Sequence, residues 1–111
     1  MNFVTEHTIY IYTILNDVIE TSDVIYMTRV QRERYISNEL MMGWETEYDS
    51  NYAITPEHMN KAKYDMVLMH PLPRVNEIPT SLDNDPRSAY FRQIKYGLSM
   101  RMSVLRMILT N

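Results

Sequence analysis

Hydrophobic positions along this chain gather into a few short stretches separated by long polar ones. Thr8 to Ile14 alternates, with Ile9 and Ile11 on one side and Tyr10 and Tyr12 on the other. A period of two in β-branched and aromatic residues predicts a short strand, suited to a sheet edge. Leu15 to Thr21 predicts a short helix, with Ile14, Leu15, Val18 and Ile19 at helical spacing. Asp23-Val24-Ile25-Tyr26-Met27 is a continuous apolar run behind an acidic residue, and Met66-Val67-Leu68-Met69 is a second. Such runs suit strands buried on both faces, as in a parallel sheet. About 40 residues lie between them, enough for a crossover that contains a helix. The helix start is marked by Thr55, a good N-cap, and Pro56, suited to the first helical position. It is expected to run to about Lys63, where Lys61 and Lys63 favour a helix C-terminus.

Residues 35–51 lack strong periodicity and predict a partly helical surface loop with a solvated charged face. Four of the five prolines, Pro71, Pro73, Pro79 and Pro86, fall within 71–86. They exclude helix interior and central strand there and predict a stiff, extended loop. From Arg87 to Leu109 the pattern is helical. Phe91, Ile94, Leu98, Leu105 and Ile108 share one stripe, and Arg101 falls on it. A guanidinium on an apolar stripe either reaches to its edge, pairs with a carboxylate or meets an anionic ligand.

Composition narrows the chemistry. The 111 residues fit one domain, and hydrophobic and charged fractions of 45% and 23% are those of an ordinary globular chain. No apolar run is long enough for a transmembrane helix, and the first residues show no signal-peptide pattern. A net charge of −3 gives no general attraction to nucleic acid or anionic membrane. With no cysteine, disulfides, thiol nucleophiles and Cys-ligated metals are excluded. Gly43 and Gly97 are far apart, so no glycine-rich phosphate loop exists in this sequence. The ten methionines read as adaptable core packing or, alternatively, as a Met-rich groove. His7, His58 and His70 show no metal-ligand spacing.

Ligands of open parallel sheets bind beyond the carboxyl ends of the strands. Two loops leave the predicted strands in that direction, Thr28 to Arg34 and His70 to Arg74. Arg29 and Gln31 point the same way in an extended segment, and a guanidinium beside an amide suits a carboxylate. A solvated charge cluster pairing with Glu33 is the other reading, and composition alone favours it. In the second loop Pro71 and Pro73 fix the backbone around Leu72 and remove two N–H donors. The carbonyls of Pro71 and Leu72 then serve as preoriented acceptors for an NH2 group, or the segment is simply a turn. His70 either donates to a carbonyl oxygen or packs as a neutral ring.

Taken together, Asp23-Val-Ile-Tyr-Met-Thr-Arg-Val-Gln-Arg-Glu-Arg34, Met69-His-Pro-Leu-Pro-Arg-Val-Asn-Glu-Ile78 and Asp83-Asn-Asp-Pro-Arg-Ser-Ala-Tyr-Phe-Arg-Gln93, with the helix from Gly97 to Leu109, resemble the aspartate carbamoyltransferase family in order and spacing. The related ornithine enzymes carry cysteine where Pro71 stands and lack Thr-Arg-Val-Gln, so the aspartate enzymes match better. Residues 1–12 match poorly.

The resemblance implies an α/β fold. This is a partial Rossmann-like, three-layer parallel sheet, the second half of the aspartate domain, with a long C-terminal helix. It makes 1–111 a partial aspartate-binding domain and 87–110 a helix that packs on a carbamoyl-phosphate domain. The implied reaction transfers carbamoyl from carbamoyl phosphate to L-aspartate in pyrimidine synthesis. His70, Pro71 and Leu72 are the implied catalytic residues. Arg29, Gln31, Pro71, Leu72 and Pro73 are implied to bind substrate, and Arg74, Glu77 and Arg101 to support the site. No cofactor or metal is implied, and the setting is cytoplasmic. The partners are the carbamoyl-phosphate domain or homologous chains in a trimer, with no nucleic acid or membrane. The family's Ser-Thr-Arg-Thr phosphate loop, its His-Pro-x-Gln motif and its other aspartate-binding arginine are not in this sequence. The chain alone is therefore expected to be inactive and marginally folded. A non-catalytic remnant that associates with a full-length homologue is the alternative.

Overall fold

The computed structural model describes residues 8–12, 14–29 and 52–110. Two short strands, β1 (Val24–Tyr26) and β2 (Val67–Met69), pair in parallel with Ile25 opposite Leu68. On its other side β2 meets the chain again: Leu68 N–H donates to Arg87 O and Ala89 N–H donates to Leu68 O. Leu68 thus sits centrally, bridged to Ser88 as well as to β1, and is fully buried. Both apolar runs are strands, as the pattern predicts. The expectation of burial on both faces fails for β1, where only Ile25 is buried and Val24 and Tyr26 face solvent.

Helix α1 (Pro56–Lys61) lies between the strands in sequence. Thr55 Oγ1 accepts from His58 N–H at 3.3 Å, and His58 Nδ1 accepts from Thr55 N–H at 3.1 Å. This is a capping box with histidine in the place usually held by Glu or Gln. The helix ends at Lys61, short of Lys63, because Ala62 is already extended and Lys63 turns its Nζ to Asp23 at 2.6 Å. The carbonyls of Met59 and Lys63 accept from Arg87 Nη1 at 2.6 and 3.4 Å. Arg87 therefore closes the helix end and pins it to the third edge of the ladder.

Helix α2 (Tyr90–Leu109) begins later than Arg87, because residues 87–89 are taken up by the pairing with β2. Between β2 and α2 the chain is irregular, with one 3-10 turn at Thr80–Leu82, in keeping with its prolines. The core is built from Ile19, Ile25, Met27, Ile54, Met59, Met66, Leu68, Ile78, Leu82 and Tyr90. Three methionines thus serve as packing, while Met100, Met102 and Met107 are exposed on α2.

Two expectations at the start of the chain are corrected. Residues 8–12 form no strand, and Ile9, Tyr10, Ile11 and Tyr12 are exposed. Alternation supplies a strand's side chains but not its ladder, and no described segment pairs with them. The helix expected over Leu15 to Thr21 is a single 3-10 turn, Leu15–Asp17, followed by turns. Thr21 Oγ1 and Ser22 Oγ both donate to the Val18 carbonyl, at 3.2 and 2.8 Å, which favours a local turn over a continuing helix. The loop expected over 35–51 lies outside the described residues.

Candidate functional site

The carboxyl ends of β1 and β2 lie side by side, because the strands are parallel and in register. Each leads directly into one of the loops singled out above. Past β1, Met27 N–H donates to Met69 O at 2.9 Å, Thr28 Oγ1 shares a 3.1 Å hydrogen bond with the Tyr52 hydroxyl, and Arg29 is exposed. Gln31 lies outside the described residues.

Past β2 the chain makes a tight turn over His70-Pro71-Leu72-Pro73-Arg74. Leu72 adopts φ 51, a conformation disfavoured for a branched side chain, and the Leu72–Pro73 peptide is cis. Leu72 N–H donates to His70 Nδ1 at 2.9 Å, so this ring nitrogen is unprotonated. Pro71 and Pro73 have no N–H. Within Pro71–Pro73 the one amide hydrogen, that of Leu72, is therefore spent inside the turn. Among the described residues no donor is seated on the carbonyls of Pro71 or Leu72.

His70 is fully buried. Its Nε2 stands 3.9 Å from Glu77 Oε2 and has no hydrogen-bond partner among the described residues. Burial favours the neutral ring and lowers its pKa, Glu77 opposes this, and Arg74 reinforces it. Glu77, also buried, accepts from Val75 N–H at 2.7 Å, and its carbonyl accepts from Ile54 N–H at 2.8 Å. Both groups thus shape the loop from beneath.

Arg74 anchors the far end of the turn. Its guanidinium is paired with Asp83 through both Nη atoms and accepts cation–π contact from the rings of Tyr90 and Phe91, at 5.2 and 5.7 Å. The Tyr90 hydroxyl donates to Asp83 Oδ1 at 2.6 Å. This fork, with Tyr90 adding to it, holds the Asp83 carboxyl at about 2. Arg101 stands apart, about 12 Å further along the helix axis than Gln93. It is exposed and lies over Gly97, where a Cβ would sit 3.7 Å from Nη1. Of the open readings for Arg101, reach to the edge of the stripe fits this position.

Sequence reasoning missed Gln93. Its Oε1 accepts from His70 N–H at 3.1 Å and its Nε2 donates to the Tyr26 hydroxyl at 2.7 Å. Its place on the polar flank of an amphipathic helix gave no hint of this.

The family model described as "Aspartate/ornithine carbamoyltransferase, Asp/Orn binding domain" matches residues 2–108. The chain belongs to this family. It is 47% identical over 97 residues to the multifunctional protein pyr1-3 of Dictyostelium discoideum, covering 87% of this chain and 4% of that protein. It is 44% identical over 95 residues to the aspartate carbamoyltransferase catalytic subunit of Clostridium botulinum (strain Eklund 17B / Type B), covering 86% of this chain and 30% of that subunit. Among solved structures, aspartate transcarbamoylase from Trypanosoma cruzi in complex with phosphate matches with a TM-score of 0.70 at 42% identity. That match covers 81% of this chain and 29% of the other. The same enzyme in complex with N-(phosphonacetyl)-L-aspartic acid matches at 0.69 and 43% identity. The chain thus spans under a third of each of these relatives. The α/β architecture of parallel strands and long C-terminal helix is that of this family.

Proposed function

We propose that this chain supplies the aspartate-binding portion of an aspartate carbamoyltransferase. The reaction joins L-aspartate and carbamoyl phosphate into N-carbamoyl-L-aspartate and phosphate. The observation that carries this reading is the juxtaposition, at the ends of two paired parallel strands, of the Arg29 loop and the His70–Arg74 turn. Arg29, with Gln31, receives the aspartate carboxylates as a fork and a further donor. The carbonyls of Pro71 and Leu72 accept from the reacting amine and from the carbamoyl NH2. This holds the amine lone pair toward the carbonyl carbon, and Pro73 keeps the turn rigid. The amine forms the new C–N bond, the amine proton is released, and phosphate leaves with the electrons of the broken C–O bond. Catalysis of this kind is positioning together with stabilisation of the developing oxyanion. His70, Arg74 and Glu77 act on the shape of the turn.

In this reading 1–111 is a partial aspartate-binding domain. The exposed stripe of α2, Phe91, Ile94, Leu98, Leu105 and Ile108, then covers the carbamoyl-phosphate domain, within a trimer of homologous chains. Arg101 supports that contact. The setting is cytoplasmic; no helix among the described residues is long and apolar enough to cross a membrane.

The test is a carbamoyl-transfer assay on purified 1–111, alone and mixed with a recombinant carbamoyl-phosphate domain of the family. Turnover in the mixture only, abolished by Arg29→Ala, is expected. No turnover in either sample, from protein shown to be folded by circular dichroism, supports a non-catalytic remnant that associates with a full-length homologue. Turnover by the chain alone refutes the view that a phosphate loop is indispensable.

A further inference from the structure

Gln93 touches both strand ends at once. Tyr26 is the last residue of β1, three positions before Arg29, and His70 directly follows β2, one position before Pro71. The amide of Gln93 gives its donor to the first and its acceptor to the second, at 2.7 and 3.1 Å. From His70 the constraint passes on, because the ring holds Leu72 N–H at 2.9 Å and with it the positive φ of Leu72. Tyr26, Gln93, His70 and Leu72 therefore form one continuous hydrogen-bonded chain across the mouth of the site, anchored in the first turn of α2. A neutral side-chain amide suits this place, since it offers a donor and an acceptor together. Asparagine is a methylene shorter.

We propose that Gln93 is a positioning residue that sets the spacing between the Arg29 loop and the Pro71–Leu72 carbonyls, and ties that spacing to the seating of α2. The proposal rests on the reading above of which loops meet substrate. Its consequence is specific. Contacts made by the exposed face of α2 reach both loops through one side chain, without a rearrangement of the sheet.

Three variants test it. Gln93→Leu removes both hydrogen bonds. Gln93→Glu keeps both, one carboxylate oxygen accepting from His70 N–H and the other from the Tyr26 hydroxyl. Tyr26→Phe cuts only the link to β1. The first readout is amide hydrogen exchange at His70 and Leu72 in the 15N-labelled chain alone. Gln93→Leu is expected to speed both roughly tenfold, the size of one net hydrogen bond, with circular dichroism unchanged. Gln93→Glu is expected to restore most of the protection, and Tyr26→Phe to leave Leu72 protected. The second readout is kinetics in the mixture with the carbamoyl-phosphate domain. Gln93→Leu and Tyr26→Phe are expected to raise KM for aspartate more than they lower kcat, and Gln93→Glu to reverse the rise. Wild-type exchange rates in Gln93→Leu, or a Gln93→Glu variant as impaired as Gln93→Leu, would overturn the proposal. Should Gln93→Leu unfold, Tyr26→Phe decides: a raised KM with Leu72 still protected supports the tie, and an unchanged KM overturns it. A wild-type mixture without turnover overturns the functional reading instead, and the exchange pattern in the chain alone still decides the tie.

Discussion

Replacing Tyr90 with phenylalanine separates packing from hydrogen bonding where α2 begins. The ring is fully buried, and phenylalanine fills the same space, so no cavity opens. The Arg74 guanidinium keeps its place over the ring. What is lost is a hydroxyl that donates to Asp83 Oδ1 at 2.6 Å and accepts from Arg74 Nη1 at 3.1 Å. A hydrogen bond to a charged group contributes about 1.5–3 kcal/mol. Here Arg74 and Asp83 remain paired with each other, and the Asp83 side chain is 27% exposed, so water replaces part of the loss. The expected destabilisation is therefore about 1–2 kcal/mol. In a domain of this size that lowers Tm by roughly 4–9 °C. The assay is thermal unfolding by circular dichroism, repeated across a pH series. Asp83 sits at about 2 in the folded chain against 3.8 ordinarily, held there first by Arg74 and then by Tyr90. A depressed carboxyl contributes stability that is fully present above 3.8 and is lost as pH falls through about 2. The gap between the wild type and Tyr90→Phe should therefore be constant above that window and narrow within it. Coincident melting at pH 7, or a gap unchanged down to pH 2, would refute the reasoning.

Other outcomes follow from the same geometry. Thr55→Ala removes the side-chain half of the capping box, the Oγ1 acceptor of His58 N–H, while the backbone N–H of residue 55 still reaches His58 Nδ1. It is expected to cost about 1 kcal/mol in chemical denaturation, with Thr55→Ser near wild type, and equal midpoints for the two would count against the cap. Leu68→Ala empties the most central buried position and is expected to cost about 2–5 kcal/mol, enough to unfold a marginal chain. A cooperative melt retained near the wild-type temperature would show that Leu68 is not central. The His70 ring is expected to titrate below its ordinary 6.5, because burial disfavours the charged form. Its neutral form contributes stability that is present above 6.5 and lost as pH falls through the lowered value, with loss of the Leu72 N–H acceptor. Ring 15N shifts that titrate at or above 6.5 would contradict this.

How much was legible in the sequence depended on where the information lies. The two apolar runs and the Thr55-Pro56 start carry local, strong signals, and each became the predicted element. The end of α1 and the start of α2 were misplaced by a few residues for one shared reason. Residues 87–89 pair with β2, and Arg87 caps α1 from across the fold. No local pattern announces either contact. At the start of the chain the signal was present but insufficient, since alternating residues 8–12 found no ladder among the described residues. The loops after both strands were legible as candidate sites from residue type alone. The burial of His70 was not, because a histidine between a strand and two prolines reads the same whether it faces inward or outward.

The least legible feature, Gln93, also alters the meaning of the most legible one. The C-terminal helix announces itself through its apolar stripe, and that stripe is exposed: Phe91, Ile94, Leu98, Leu105 and Ile108 are each more than half accessible. An exposed face of this extent marks a contact surface. Taken alone, such a helix would be only a means of attachment. Yet its first turn carries Tyr90, locked to the Arg74–Asp83 fork, and Gln93, bonded to both strand ends. The Arg74 fork fixes the far end of the His70–Arg74 turn and Gln93 fixes the near end. A displacement of α2 by a fraction of a hydrogen-bond length would therefore strain the turn at two points, while the β1–β2 register stays intact. The proposed site is thus built on the strands but held in shape by the helix. For that reason substitutions on the helix should alter aspartate KM without touching aspartate, whereas substitutions in the strand core should alter stability first.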